Sequence, residues 1–426
     1  MGHWLTCVQY RVRPALANSL RSALAAQATQ KGYLAAVPRS EPTPLLQNAT
    51  LETSAKEPMV VGPHKLTLLH DGAECFGAML GAIRHAKTEI LLEMYWFASD
   101  TIGWRVARAL MERAEEGLEV RVLYDAIGSL EASETMFDAM RAGGVRVLQF
   151  NPIAPWRRRF RPERLTRRNH RKMLLIDSET GLTGGVNIGD PWLPISEGGQ
   201  GWRDDMIRVD GPAAMVMREI FLHAWRHEES SGGREGRLKL GNEDDGAVRV
   251  LANHYYGTRR AIRRTYLNRI RAAKRSVLIT NSYFVPDRMI RMALAKAASR
   301  GVEVRVLVPG ISDVKAVYYA SRKLYAWLVE RGVHVHEWMP HVLHSKTAVV
   351  DGTWCTVGTY NLDYLSWRSN LEVTLAVDDD QVAGALEGRF RADLDQAMEI
   401  DMERFGSRPL SERFLEQVFF WLRKFL

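Results

Sequence analysis

Short apolar runs alternate along the chain with longer stretches whose apolar residues recur at helical spacing. Residues 90–92, 120–124 and 173–176 are largely aliphatic and predict buried strands. Residues 100–116 and 288–300 have the helical period, and each stretch ends before a glycine that suits a helix C-cap. Strands that alternate with helices in this way predict a layered α/β architecture.

The same pattern occurs twice in the chain. Each copy begins with an Ala-Lys pair, an apolar strand and an aromatic cluster, at Lys87 and again at Lys274. Further along, Gly-Leu-Glu-Val-Arg-Val-Leu from Gly117 is matched by Gly-Val-Glu-Val-Arg-Val-Leu from Gly301. Because matches that keep their order rarely arise by chance, we predict a tandem duplication.

The duplication divides the chain into four parts. We predict an N-terminal extension over residues 1–60, a first domain over 61–235, a second domain over 236–405 and a C-terminal amphipathic segment over 406–426. The boundary falls in a charged, glycine-rich stretch that is typical of a linker. The first forty residues contain no acidic residue, which is typical either of a mitochondrial transit peptide or of a poorly ordered extension. We expect the poorly ordered extension.

Each copy carries a His-x-Lys pair late in its sequence, followed at matched spacing by an aspartate and an asparagine. The two sets are His170, Lys172, Asp177 and Asn187, and His344, Lys346, Asp351 and Asn361. Residues i and i+2 of a strand point to the same face, so each His and Lys can address one phosphate. The glycine-containing turn before each asparagine allows backbone and amide groups to approach an oxyanion.

This duplicated motif resembles the HKD motif of the phospholipase D superfamily, and residues 64–400 follow that arrangement. The resemblance implies two phospholipase D-like domains, each a mixed sheet flanked by helices, related by a pseudo-twofold axis with the active site between them. It implies that one histidine, which we assign as His170, attacks phosphorus to form a phosphohistidine. The other, His344, protonates the leaving alcohol and later deprotonates the incoming one.

The resemblance also implies roles for the remaining motif residues. Lys172, Lys346, Asn187 and Asn361 would neutralise charge on the phosphoryl oxygens, and no metal or cofactor is required. Asp204 and Glu372 would each hold a catalytic histidine through its second ring nitrogen, with Asp205 as the alternative to its neighbour. The motif includes Asp177 and Asp351 among the expected catalytic residues. Both precede turn residues, however, which favours a structural role.

The charge composition favours a polyanionic partner. The 426 residues carry a formal net charge of +8 and a sequence pI of about 9.4, which favours nucleic acid or an anionic membrane. The three cysteines, Cys7, Cys75 and Cys355, are widely spaced and predict neither a disulfide framework nor a structural zinc site. A reducing, cytoplasmic compartment fits.

An insertion in the first copy concentrates this charge next to the motif. His170 stands twenty positions after Phe150, whereas His344 stands six positions after Trp338. The insertion holds seven arginines: Arg157, Arg158, Arg159, Arg161, Arg164, Arg167 and Arg168. A solvated charge run is one interpretation. The other is an anion-binding rim at the mouth of the active site, since arginine suits bidentate phosphate contacts.

The C-terminal residues 410–426 have apolar positions at helical spacing, with charged residues between them. Such a segment either lies flat in a membrane interface or packs on the protein. No run of about 18 apolar residues is present, so we expect no transmembrane helix.

Within the superfamily, the chain resembles the bacterial cardiolipin synthases, in particular their shorter B-type members. The resemblance rests on Asn-His-Arg-Lys ending at Lys172, on Gly-Gly-Val-Asn-Ile-Gly from Gly184, and on Trp-Arg-Asp ending at Asp204, followed by Gly211 and Pro212. It implies transfer of a phosphatidyl group from phosphatidylglycerol to the headgroup hydroxyl of a second phospholipid. It also implies peripheral binding to the cytoplasmic face of a bacterial cell membrane, with no obligatory nucleic acid.

Alternatives remain open at this point. A phospholipase D-type hydrolase or a nuclease would use the same phosphohistidine chemistry, and basic charge suits a nuclease as well. A non-catalytic membrane-binding scaffold belongs to a different class, and the intact motifs in both copies disfavour it. The sequence does not indicate the oligomeric state.

Overall fold

The computed structural model describes residues 56–153, 167–230, 246–253 and 260–424. The strands of the first half are β1 (Met59–Val61), β2 (His64–His70), β3 (Glu89–Met94), β4 (Glu119–Asp125), β5 (Arg146–Phe150), β6 (Met173–Ile176), β7 (Thr180–Gly184) and β8 (Asp205–Asp210). The strands of the second half are β9 (Val248–Asn253), β10 (Ser276–Asn281), β11 (Glu303–Pro309), β12 (His334–Trp338), β13 (Lys346–Val350), β14 (Trp354–Gly358), β15 (Glu372–Asp378) and β16 (Ala397–Glu399).

Helices flank both sheets. They are α1 (Asp71–Arg84), α2 (Thr101–Glu115), α3 (Glu134–Ala142), α4 (Pro212–Glu229), α5 (Ala261–Ala272), α6 (Arg288–Ser299), α7 (Lys315–Val329), α8 (Tyr364–Arg368), α9 (Asp380–Leu394), α10 (Met402–Gly406) and α11 (Leu410–Leu422). The predicted strands at residues 90–92, 120–124 and 173–176 and the predicted helices at 100–116 and 288–300 are all present. Asp100 and Asp287 cap the N-termini of α2 and α6 with their side chains.

Seven strands have the same order in both sheets, which confirms the predicted duplicated α/β fold, and the eighth strands, β1 and β16, lie at opposite edges. The first has the order β1-β2-β8-β7-β6-β3-β4-β5, and the second has the order β16-β12-β11-β10-β13-β14-β15-β9. In each sheet three strands are parallel, β3, β4 and β5 or β10, β11 and β12. The strand that begins at or directly after the Lys of the motif, β6 or β13, runs antiparallel to them. Each His-x-Lys pair therefore lies at the carboxyl edge of the parallel strands, where α/β sheets hold their ligands.

The core explains why β6 is apolar at every position. Met173 and Leu175 face a cluster that both sheets share, whereas Leu174 and Ile176 face a second cluster under the helices of the first half. A strand covered on both faces has no polar side, so its sequence is a continuous apolar run rather than an alternating one. The shared cluster also contains Val349 of β13 and residues of α4 and α9. It joins the halves through apolar contact.

Two short backbone bridges place the motifs of one half against the strands of the other. Asn169, just before His170, bridges to Leu371, and Arg203 bridges to Leu343, just before His344. The amide of His170 donates to the Leu371 carbonyl at 3.0 Å, and the amide of His344 donates to the Arg203 carbonyl at 2.8 Å. Each histidine is thus fixed beside the start of a strand in the opposite half.

The boundary predicted near residue 236 and the glycine-rich linker around it lie outside the described residues, as does most of the extension over residues 1–60. The predicted domain limits stay a prediction. The two sheets run from Met59 to Asp210 and from Val248 to Glu399. Cys75 and Cys355 are free and buried, and Cys7 lies outside the described residues.

Candidate active site

The His and Lys side chains of both motifs are buried together. His170 and His344 are 6% and 4% exposed, and Lys172 and Lys346 are 0% and 1% exposed. Lys346 opens β13 and lies opposite Asn281 in register, while Lys172 directly precedes β6. The structure therefore brings all four predicted residues to the seam between the sheets.

Each histidine is held by a carboxylate of the other half. Nδ1 of His170 lies 3.1 Å from Oε2 of Glu372, and Nδ1 of His344 lies 2.8 Å from Oδ2 of Asp204. Both carboxylates are fully buried. Since an ionised carboxylate is an acceptor only, it fixes each Nδ1 as the N–H donor and leaves Nε2 for chemistry.

Further donors orient the two carboxylates. The hydroxyl of Thr359 donates to Oε2 of Glu372 at 2.5 Å, and Nε1 of Trp192 donates to Oδ2 of Asp204 at 3.0 Å. Asp205 points elsewhere, to Arg203 at 2.9 Å and to the Ser345 hydroxyl. Of the two neighbouring acids, Asp204 is therefore the one placed against a motif histidine, whereas Asp205 lies 2.7 Å from Nδ1 of His70.

The electrostatics favour neutral imidazoles in the free site. Burial lowers the pKa of His170 to about 4, with Lys172 and Lys346 adding to the effect while Glu372 opposes it. Burial and Lys346 likewise lower the pKa of His344, against the opposing charge of Asp204. Lys346 thus acts on the histidine of the other half as well as on that of its own motif.

The pKa values of the two carboxylates and the two lysines are lowered as well. Burial would raise the pKa of Asp204 and of Glu372, but the facing histidine and the nearby lysine overcome it and hold both pKa values below the ordinary range. Burial lowers the pKa of Lys346 to about 8 and holds that of Lys172 well below its ordinary value. Two buried lysines side by side therefore favour an anionic ligand that restores their charge.

Both motif asparagines use their side-chain oxygens within the protein. Oδ1 of Asn187 accepts from the amide of Trp96 at 3.1 Å, and Oδ1 of Asn361 accepts from the Ser282 hydroxyl at 2.8 Å. Within the part of the chain that the structure describes, neither amide nitrogen has a protein acceptor. Both NH₂ groups are thus available to a phosphoryl oxygen.

A family model described as "Cardiolipin synthase, PLD-like domain" matches residues 79–200 and 266–394, more than half of the chain. The chain belongs to the cardiolipin synthase family. A cardiolipin synthase from Geobacillus kaustophilus (strain HTA426) is 34% identical over 395 residues, which cover 89% of this chain and 78% of that protein. A cardiolipin synthase from Halalkalibacterium halodurans (strain ATCC BAA-125 / DSM 18197 / FERM 7344 / JCM 9153 / C-125) is 36% identical over 357 residues, 82% of this chain and 70% of that protein.

Solved structures show the same fold at low identity. The crystal structure of phosphatidylserine synthase from Haemophilus influenzae Rd KW20 superposes with a TM-score of 0.66 and 14% identity, covering 87% of this chain and 97% of that one. Polyphosphate kinase from Porphyromonas gingivalis gives a TM-score of 0.56 at 15% identity, over 89% and 58% of the two chains. The cardiolipin synthase relatives make this chain an enzyme of the phosphatidyltransferase class.

Two motif residues lie apart from this cardiolipin synthase-type site, and their expected catalytic role is corrected. Asp177 follows the far end of β6, about 16 Å along the strand from Lys172, and has a positive φ of 53°. Its carboxylate accepts from the amides of Lys87, Thr88 and Glu89 at 2.7 to 3.1 Å. Asp351, with a φ of 55°, repeats the arrangement in the other half. Both acids hold turns.

The predicted arginine rim is corrected at one position. Arg168 is 7% exposed and faces inward, where its guanidinium lies 3.6 Å from Asp125 and donates to the Asn151 carbonyl at 3.0 Å. A buried carboxylate draws it away from the surface. Arg167 is partly exposed. The other five, Arg157, Arg158, Arg159, Arg161 and Arg164, lie outside the described residues, and their role stays a prediction.

The sequence did not single out the aromatic walls of the site. The ring of Tyr95 lies 5.0 Å edge-on from His170 and also 5.0 Å from the Lys172 ammonium. Trp192 and Trp202 lie 5.3 and 5.9 Å from the ring of His344. Tyr95 belongs to the aromatic cluster that begins each repeat, and this signal could have found it.

Buried charge also links the halves beside the site. The guanidinium of Arg203 donates to both carboxylate oxygens of Asp393 at 2.8 to 3.3 Å and lies 2.9 Å from Asp205. All three side chains are 4% exposed or less. Removing one partner of such a cluster would leave uncompensated buried charge.

The described residues contain neither a metal-binding cluster nor a membrane-spanning helix. No group of three or more His, Cys, Asp or Glu side chains among them could hold a metal ion. None of the helices described has the length and apolar character to cross a membrane.

Proposed function

We propose that this enzyme transfers a phosphatidyl group from phosphatidylglycerol to a headgroup hydroxyl of a second phospholipid, through a phosphohistidine. The carrying observation is the crosswise pairing of two buried histidines with buried carboxylates, His170 with Glu372 and His344 with Asp204. Two such histidines can divide the roles of nucleophile and acid/base. With lysines and amides around them, they suit a two-step exchange at one phosphorus.

In the first step Nε2 of His170 attacks phosphorus, a P–N bond forms and the P–O bond to glycerol breaks. His344, which is protonated at Nε2 once the anionic phosphodiester is bound, gives that proton to the departing glycerol oxygen. In the second step the acceptor hydroxyl loses its proton to His344, and its oxygen attacks phosphorus while the P–N bond breaks. The products are free glycerol and the new diester, and both histidines return to their starting states.

The surrounding groups stabilise the charge that develops in both steps. Lys172 and Lys346 lose part of their affinity for protons on burial, and a bound phosphodiester anion raises it again. The amides of Asn187 and Asn361 donate to the phosphoryl oxygens. Donors that are already fixed in a buried site cost no reorganisation at the moment of reaction.

The same edge of the molecule is suited to a membrane surface. Loops on the active-site side of the sheets expose the apolar residues Leu130, Ile195, Ile311 and Met339, between 40% and 63% exposed. The helix α11 packs on α7, with Phe419 stacked on Tyr319 at 6.0 Å, yet it leaves Leu410, Phe414 and Trp421 68% to 80% exposed. We propose that these side chains enter the interface of a bacterial cell membrane from its cytoplasmic face.

Product analysis tests the proposed reaction. With phosphatidylglycerol vesicles, the enzyme is expected to release glycerol and form cardiolipin. Phosphatidic acid as the main product would instead identify a hydrolase. Cleavage of single-stranded DNA, with no lipid product, would replace the proposal by a nuclease.

Vesicle sedimentation tests the membrane face. The double variant Phe414→Ser, Trp421→Ser is expected to bind phosphatidylglycerol vesicles several-fold more weakly at all ionic strengths, because apolar insertion is not screened by salt. The matched control is Met215→Ser, since Met215 is 59% exposed at the opposite edge, where α4 begins. Equal binding by the double variant and the control would contradict this orientation.

A further inference from the structure

The loop that follows β11 brings a carboxylate to the active site. Asp313 is partly exposed, and its Oδ2 accepts from the Tyr283 hydroxyl at 2.6 Å. The ring of Tyr283 lies edge-on to that of His344, with centroids 6.2 Å apart. Among the described residues Oδ1 of Asp313 has no hydrogen-bond partner. Tyr283 therefore holds one oxygen of the carboxylate and leaves the other free beside His344.

The charge of Asp313 acts on the catalytic groups themselves. Burial lowers the pKa of Lys346, and Asp204 and then Asp313 oppose it, with Asp313 acting more strongly than Glu372. Asp313 also opposes the lowering of the pKa of His344. This agrees with the contacts of Tyr283, which lies between Asp313 and the ring of His344.

The position that matches Asp313 is a serine in the first half. Ser129 stands twelve residues after Gly117, as Asp313 stands twelve after Gly301. Ser129 is 5% exposed, and its hydroxyl is used twice within the protein, accepting from the Phe97 amide at 2.9 Å and donating to the Tyr95 carbonyl at 3.2 Å. Ser129 is thus used within the protein and presents no carboxylate, so the two matching positions differ in charge.

This asymmetry has a chemical consequence. A free carboxylate oxygen accepts hydrogen bonds and repels a phosphodiester, so it does not serve the donor phosphate. It suits a neutral group that donates hydrogen bonds, and a hydroxyl is such a group. The two lysines nearby disfavour a cationic amine at the same place.

We infer that Asp313, oriented by Tyr283, binds a second hydroxyl of the acceptor headgroup, so that the site selects a polyol over a simple alcohol. The inference rests on the proposed transfer reaction and adds the class of acceptor to it. One hydroxyl of the polyol then faces His344 as the nucleophile, and its neighbour donates to Oδ1 of Asp313.

A competition between small alcohols tests this. The full-length enzyme is given phosphatidylglycerol vesicles with equal concentrations of 1,3-propanediol, 1-propanol and 3-amino-1-propanol, and mass spectrometry measures the ratio of the three phosphatidyl products. The wild type is expected to favour the diol over propanol. Asp313→Asn should reduce that preference about tenfold, the effect of weakening one charge-assisted hydrogen bond. Tyr283→Phe should reduce it less, because the carboxylate remains but is no longer oriented.

Controls and contrary results separate the possibilities. Asp138→Asn removes an exposed carboxylate of α3 and is expected to keep the wild-type ratio. An unchanged diol-to-propanol ratio in Asp313→Asn and Tyr283→Phe would overturn the inference while leaving transfer intact. If Asp313→Asn fails to fold, the ratio measured for Tyr283→Phe decides in its place. A change confined to the aminopropanol product, with the diol-to-propanol ratio unchanged, would also overturn the inference. Absence of every phosphatidyl alcohol from the wild type would refute the proposed function itself.

Discussion

Replacing Glu372 by glutamine removes the negative charge that faces His170 and keeps the shape of the side chain. The carboxylate lies 3.1 Å from Nδ1 of His170, and both side chains are 8% exposed or less. Glutamine presents either a carbonyl or an amide group to Nδ1, so the ring is no longer fixed with its lone pair at Nε2. The positive charge that the ring gains when Nε2 bonds to phosphorus also loses its counter-charge.

The size of the effect follows from this geometry. Two unit charges about 4 Å apart interact by about 4 kcal/mol at the effective dielectric of a protein site. A difference of 1.36 kcal/mol in a barrier changes a rate tenfold, so kcat should fall on the order of 10³-fold. Asp204→Asn should cause a similar fall through His344, since its contact of 2.8 Å is as short and as buried.

The assay is the initial rate of cardiolipin formation from phosphatidylglycerol vesicles, together with thermal unfolding. The matched control is Glu337→Gln, a partly buried carboxylate that pairs with Arg322 away from both histidines. It should alter stability without a comparable loss of kcat. A folded Glu372→Gln enzyme with kcat within a few-fold of the wild type would refute the crosswise pairing as a catalytic device.

Three further predictions follow from the same geometry. Asp177→Asn and Asp351→Asn should each lower the free energy of unfolding by about 1 kcal/mol, the usual effect of losing a carboxylate that accepts from backbone amides, and should leave kcat unchanged. Denaturant titration measures the free energy of unfolding, and initial rates normalised to the amount of folded enzyme measure kcat. Burial lowers the pKa of His170 to about 4 and lowers that of His344, whereas a bound anionic phosphate raises a histidine pKa. In the pH–rate profile, the alkaline limb marks the loss of the proton from the acid histidine. This limb should therefore lie at higher pH for kcat than for kcat/KM, and limbs at the same pH would contradict the prediction. Chelators should leave activity intact, because Lys172 and Lys346 supply the positive charge at the phosphate; loss in EDTA that a divalent ion restores would argue against it.

Much of the fold follows from local pattern. The apolar run at residues 173–176 predicts β6, because a strand covered on both faces has no polar positions. The duplicated His-x-Lys spacing predicts two phosphate-binding pairs, since the rule that i and i+2 share a face needs no tertiary information. Both inferences depend on residues that are neighbours in the sequence.

The crosswise pairing could not be predicted in this way. His170 and Glu372 are 202 residues apart, and His344 and Asp204 are 140 apart. Neighbouring residues at the start of a strand point to opposite faces, so the choice between Asp204 and Asp205 depends on which face meets the other half. Arg168 shows the same limit, because a run of arginines does not reveal that the buried Asp125 draws one of them inward.

The most direct test of the account is the location of the covalent intermediate. A phosphatidyl ester of p-nitrophenol has a leaving group that needs no proton, so the first step can proceed in His344→Ala. Quenching and peptide mass spectrometry should then find the phosphatidyl group on His170 in this variant, and none in His170→Ala. A phosphatidyl group on His344 would reverse the two roles, and the absence of any modified histidine during turnover would contradict the covalent mechanism.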